Sequence, residues 1–177
     1  MGATFLLIAP LVLPLLPPER LVAYQTSLGV RPRKQEVSHD AFLDQRLGDQ
    51  FGWPELADEV AAIYRALPEA ERAGTGIYAG NYGEAGAINQ FGPALGLPAA
   101  ICAHQAESFW GLPAVEPRVF ICLGCDREGL EVNFDSVVLA GEHFHPWGMP
   151  EENRPIYLCR SLRTPLKVLW PRITHWN

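Results

Sequence analysis

Leu56, Val60, Ile63, Tyr64 and Leu67 fall at i, i+4, i+7, i+8 and i+11 of "PELADEVAAIYRALP", which places them on one face of a helix. Pro54 suits the first helical turn, where its missing N–H removes no bond, and Glu55, Asp58 and Glu59 sit near the positive end of the helix dipole. Beyond this segment the period changes. Short apolar runs at 75–80 (TGIYAG), 97–103 (LPAAICA), 118–124 (RVFICLG), 136–141 (SVVLAG) and 155–161 (PIYLCRS) read as strands separated by turn residues. The third run is apolar throughout, as a strand buried on both faces of a parallel sheet would be. Helices are expected over 83–91, stopping at Gly92-Pro93, and from an Asp126 cap to about Phe134. Strands alternating with helices predict an α/β fold over 51–177: a Rossmann-like βαβ sandwich with a mainly parallel sheet.

The amino-terminal pattern is different. Residues 3–16, ATFLLIAPLVLPLL, carry no charge but are interrupted by Pro10 and Pro14, and a full bilayer crossing needs about 20 apolar residues. No Lys or Arg precedes the run and no small-residue cleavage site follows it, so a signal peptide does not fit. Leu6 stands where a myristoylation pattern needs Ser or Thr. The expectation is the last part of a transmembrane helix that begins upstream of Met1, with a short complete anchor or an apolar arm buried in a partner as the alternatives. Leu21, Val22 and Tyr24 suit the membrane interface, so 1–24 is assigned to helix end and interface and 25–50 to a linker.

The chain has 177 residues, 48% hydrophobic and 19% charged, with a formal net charge of -6. Arg31, Arg33 and Lys34 form its one basic cluster, which is too little for phosphate-driven binding, so a nucleic-acid partner is not expected. Cys102, Cys122, Cys125 and Cys159 lie in or beside apolar runs and read as small core residues.

Candidate chemistry gathers at three places. In "AGNYGEAGA" (79–87) the glycines are Gly80, Gly83 and Gly86, which lack the close first pair of the dinucleotide fingerprint, and no Gly-Lys-Ser or Gly-Lys-Thr is present. Glu84 at the helix start would repel a phosphate. Two readings stay open: a tight strand-to-helix turn with Asn81 as cap, or a pocket in which Asn81, Tyr82 and Glu84 meet a polar uncharged ligand such as a sugar. In "AHQAESFWG" (103–111), His104, Gln105 and Trp110 follow the next strand, and neighbouring strands would let His104 approach Asn81 or Glu84. In "GEHFHPWGM" (141–149), His143 and His145 together with Cys122 and Cys125 invite a zinc reading, but H-x-H is not the usual spacing and Cys122 lies inside a strand. No metal and no cofactor is assigned to this chain. G-x-S-x-G is absent, so a serine hydrolase is unsupported.

Taken together, "FGWPEL", "AGNYGEAGAINQFGPALGLP", the placing of His104, Trp110 and Gly111, and "MPEENRPIYLCR" resemble the carboxy-terminal soluble domain of bacterial protein-mannosyltransferase-like membrane glycosyltransferases. These enzymes are of the GT-C type and use a polyprenyl-phosphate sugar donor. The resemblance runs from about Leu11 onward and is most specific in the central stretch. It implies a domain at the cell membrane, on the extracytoplasmic side, whose partners are the missing transmembrane part of the same enzyme and a glycan or other polar acceptor. The basic cluster points to the other side under the positive-inside tendency, a weak signal so far beyond the apolar run. Two departures matter. His104 is followed by Gln105 where the family often has Asn, and the family's catalytic carboxylate belongs to the membrane part, so no catalytic residue carries over. The resemblance therefore implies a non-catalytic domain that aids acceptor recognition. The alternative from the residues is a stand-alone, membrane-tethered carbohydrate-binding or interaction module.

Overall fold

The computed structural model describes residues 2–32 and 41–176, with side chains in its first helix from residue 7 onward. Arg33 and Lys34 of the basic cluster, with much of the expected linker, lie outside the described residues. The chain divides into two compact units, Met1–Gly52 with His145–Asn153, and Trp53–Phe144 with Arg154–Asn177.

The first unit contains α1 (Gly2–Val12), α2 (Pro18–Ser27) and α3 (Gln45–Gly48). Its small core is Leu21, Leu43 and Leu47, with Phe51 and Trp147 packed against them. Segment 145–153, expected from sequence in the soluble domain, belongs here. Among the described residues no helix is long and apolar enough to cross a membrane.

The second unit is built on a five-stranded sheet in the order β2-β1-β3-β5-β4. The strands are β1 (Thr75–Ala79), β2 (Ala100–Cys102), β3 (Val119–Leu123), β4 (Phe134–Glu142) and β5 (Pro155–Leu162). All five expected strands are present, but the sheet is mixed. β1 pairs parallel with β2 and β3, whereas β5 pairs antiparallel with both β3 and β4. The reason is the connection: no crossover helix links β4 to β5, and antiparallel neighbours need none. β3 is completely buried, yet one of its neighbours is antiparallel, so its apolar run reports a central position and not parallel pairing.

Alternating side chains give the sheet two cores. On one face Ile77, Ile121, Leu123 and Ile156 pack with Leu56, Val60, Ala61 and Ile88 from α4 (Trp53–Ala66) and α6 (Tyr82–Leu95). The apolar face read from sequence in α4 is the face that packs here; each such aliphatic side chain contributes about 1.5–3 kcal/mol by leaving water. On the other face Phe120, Cys122, Tyr157 and Cys159 pack with Leu130 of α7 (Arg127–Asn133) and Leu166 of α8 (Leu166–Ile173). A short α5 (Glu69–Arg72) leads into β1, and Arg160 on β5 grips its Glu71 through two hydrogen bonds of 3.1 and 2.8 Å. The Glu116 carboxylate accepts the Leu166 N–H at 2.6 Å and so fixes the start of α8.

α6 does not stop at Gly92-Pro93. It continues to Leu95 and closes at Gly96, whose φ of 78° lets the Leu97 N–H turn back to the Gly92 carbonyl at 3.0 Å. Leu97 buries itself against Ile88 in the same turn, so the C-terminal motif, not the proline, sets the end.

Candidate functional site

β1 feeds α6 and then β2 on one side of the sheet, whereas β3 feeds α7 and then β4 on the other. The gap between the carboxyl ends of β1 and β3 is therefore the switch point at which open α/β sheets take ligands. Gly80 and Gly124 stand there, and the Gly80 N–H donates to the Leu123 carbonyl at 3.0 Å. A Cβ on Gly80 would lie 3.0 Å from the Gly124 oxygen, so the two strand ends approach as closely as the backbone permits.

Asn81 and Glu84 form a capping box on α6. The Asn81 side chain accepts from the Glu84 N–H at 2.9 Å, and the Glu84 carboxylate reaches back to the Asn81 N–H at 3.2 Å and the Gly80 N–H at 2.9 Å. Glu84 is only 2% exposed. One of its oxygens thus occupies the backbone donors that a nucleotide phosphate would need. The turn reading of "AGNYGEAGA" describes this geometry; the glutamate is built into it rather than presented to a ligand.

Tyr82 points outward from the first turn of α6, and its ring lies 5.1 Å from that of His104. His104 stacks in turn on His175 at 4.6 Å with the planes 9° apart. Backbone bonds lock the pair: Gln105 N–H to the His175 carbonyl at 2.8 Å, and His175 N–H to the Ala103 carbonyl at 3.1 Å. Both ring nitrogens of His104 are buried without a hydrogen-bond partner, so the pairing of His104 with Asn81 or Glu84 expected from sequence is not made. Gln105 begins the 3-10 turn Gln105–Trp110 at a φ of 51°, a left-handed conformation unusual for its residue type.

Burial, and then the neighbouring His175, lower the His104 pKa from its ordinary value. The unfolded chain therefore takes up a proton at higher pH than the folded one. This contribution to stability is complete above about pH 6.5 and is lost as the pH falls through the folded value. Wild-type Tm is expected to fall between pH 8 and pH 5.5 by a few degrees more than that of His104→Phe, which keeps the stack without the nitrogens. Superimposable pH profiles of the two proteins in differential scanning calorimetry would show that His104 does not contribute.

Past the stack the surface is aromatic. Phe109 and Trp110 at the end of the 3-10 turn are 77% and 85% exposed, and Trp176 is 61% exposed. The Phe109 and Trp176 rings lie 5.7 Å apart. Of the residues expected to share a pocket, the structure joins Asn81 to Glu84 and Tyr82 to His104, and it leaves Trp110 with no ring partner among the described residues. His175, Trp176 and Phe109 were not singled out from sequence. The signal for His175 and Trp176 was aromatic density in "WPRITHW", and Phe109 stood within "AHQAESFWG"; the two segments meet only through the fold.

The four residues of the zinc reading have separate duties. His143, 4% exposed, bonds through Nδ1 to Glu59 at 2.8 Å. His145 Nδ1 accepts the N–H groups of Trp147 and Gly148, which makes its other nitrogen the protonated one. Cys122 lies in the core beside Cys159, and a hydrogen bond with Cys159, followed by burial, keeps the Cys122 thiol well above its ordinary pKa. The Cys125 thiol donates to the Leu123 carbonyl, and burial raises its pKa also. Cys102 is pushed up to about 11 by burial. Cys102, Cys122 and Cys125 are thus held as thiols, and Cys159, whose pKa the Cys122 hydrogen bond lowers, is fully buried. Among the described residues no group of three or more His, Cys, Asp and Glu is placed to hold a metal ion.

Comparison with family models, with curated proteins and with solved structures returns no match for this chain.

Proposed function

We propose that this chain is the non-catalytic, extracytoplasmic carboxy-terminal domain of an integral-membrane glycosyltransferase that uses a polyprenyl-phosphate sugar donor, and that its second unit helps to recognise a hydroxyl-bearing acceptor. In this reading the second unit is Rossmann-like in its parallel half, and the apolar segment around α1 is the end of a transmembrane helix. The observation that carries it is the exposed Phe109–Trp176 ring pair, with the exposed Trp110 next to Phe109 in the chain, beside the Tyr82–His104–His175 stack. Exposed aromatic side chains in such number mark a binding surface. Flat apolar faces edged by hydrogen-bonding groups suit a sugar ring, which has C–H faces and a hydroxyl rim. The sequence segments that resemble the glycosyltransferase domain supply Tyr82, His104 and Trp110.

Transfer itself would need a carboxylate to orient the acceptor hydroxyl and charge stabilisation at the donor phosphate. In this proposal both come from the membrane part of the enzyme.

Two measurements test the reading. Titration of the full chain in detergent with a panel of neutral oligosaccharides should give saturable binding that weakens about tenfold in Trp110→Ala and in Trp176→Ala, the size expected for a lost aromatic anchor. Absence of any binding would remove the acceptor role. Sequencing upstream of the Met1 codon should reveal an in-frame continuation encoding apolar segments and an acidic loop. A stop codon there would overturn the glycosyltransferase assignment. With glycan binding intact, it would leave the stand-alone carbohydrate-binding module, which the aromatic face favours because it needs no other chain.

A further inference from the structure

A cavity of about 250 Å³ opens on the opposite face of the sheet from α6. It lies at the same switch point, between the carboxyl ends of β1 and β3. Its walls are apolar: Phe120 from β3, Leu130 from α7, Phe134 at the start of β4, and Leu166 and Leu169 from α8. A dry apolar cavity of about 150 Å³ already holds a benzene ring, so this one has room for a single ring with a short side chain.

The polar end is one-signed. Asp126 lines the mouth, and its Oδ1 accepts the Gly129 N–H at 2.6 Å. Gly80 and Gly124 also line it, and the buried Glu84 carboxyl group lies 2.7 Å from where a Gly124 Cβ would stand. Tyr78, also in the lining, is held protonated by its burial and by the groups around it, so it offers a hydroxyl and no charge. Among the described residues no Lys, Arg or His lines the cavity. A carboxylate or phosphate entering it would meet the Asp126 carboxylate and no lining cation. An ammonium group at the mouth would meet the reverse, and a protein-bound charge pair close to the surface interacts several times more strongly than in bulk water.

We propose that this cavity is a binding site for a small primary amine with an apolar, ring-sized body: the ring lies between α7 and α8 and the ammonium group faces Asp126. The site is separate from the aromatic face and does not depend on the function proposed for it.

The test uses three probes of matched shape on the full chain: 2-phenylethylamine, 2-phenylethanol and 3-phenylpropanoate. Thermal shift and ligand-observed NMR should show the amine binding about tenfold or more tighter than the alcohol, and no binding of the carboxylate. Leu169→Trp, which fills the cavity from α8, should abolish binding of both amine and alcohol. Should that variant fail to fold, Asp126→Asn provides the second arm. It keeps the oxygen that caps Gly129, and it should bring the amine down to the affinity of the alcohol while leaving the alcohol unchanged. Equal binding of amine and carboxylate, absence of binding by all three, or an amine preference untouched by Asp126→Asn would each overturn the proposal. Loss of oligosaccharide binding in Trp110→Ala with amine binding retained is expected, since the two sites are independent.

Discussion

Gly124→Ala is expected to destabilise the protein by about 3 kcal/mol and to lower its Tm by roughly 10 °C. Two costs combine at this position. Gly124 has a φ of 59°, in the left-handed region where a Cβ costs about 1–2 kcal/mol. The added carbon would also press on the Glu84 carboxylate, with Oε2 at 2.6 Å and Oε1 closer still. Glu84 cannot retreat, because its bonds to the Gly80 and Asn81 N–H groups hold it in place. The double variant Glu84→Ala, Gly124→Ala separates the two costs. Once the carboxylate is gone only the backbone strain remains, so the double variant should be more stable than the sum of the single effects by about 1–2 kcal/mol. Urea unfolding of the four proteins measures this coupling. Strict additivity would mean that the glycine is required for its φ alone.

Glu84→Ala should by itself cost about 3 kcal/mol, whereas Glu84→Gln should stay within about 1 kcal/mol of wild type. The alanine leaves the Asn81 N–H without its acceptor, leaves the Gly80 N–H with the Leu123 carbonyl alone, and dissolves half of the capping box at a buried turn. The glutamine can offer its amide oxygen where Oε2 now stands, since that one oxygen accepts from both donors. Chemical denaturation ranks the three proteins. If glutamine proves as damaging as alanine, then the charge of Glu84 and not its acceptor geometry maintains the turn. If Glu84→Gln folds normally but loses oligosaccharide binding, then the carboxylate reaches the ligand, contrary to its burial.

Local chemistry settled much of what the chain by itself could determine. Helix α4, its apolar face, the existence of all five strands, the Asp126 cap and the Asn81 cap each depend on side chains within a few residues of one another, and all were legible. The alternation between helix and strand was enough to state an α/β fold. Glu84 was visible as a group hostile to phosphate, because a carboxylate at a helix start acts through the same local backbone donors in sequence and in structure.

Tertiary structure decided what depends on distance along the chain. The direction of β5 follows from which strand it pairs with, and an apolar run has the same appearance in either direction, so the mixed sheet was not legible. The length of α6 was decided by Leu97 docking on Ile88 beyond a proline that local rules read as a stop. The His104–His175 stack joins residues 71 positions apart in sequence, and the aromatic face exists because that contact carries Trp176 to Phe109. The amine-sized cavity is the least local feature of all. Its walls come from two helices and four strands, and no window of the sequence contains enough of them to suggest it. Periodicity and caps are pairwise effects over a single turn or pleat; strand order, ring stacks and cavities arise only when separate segments share a core.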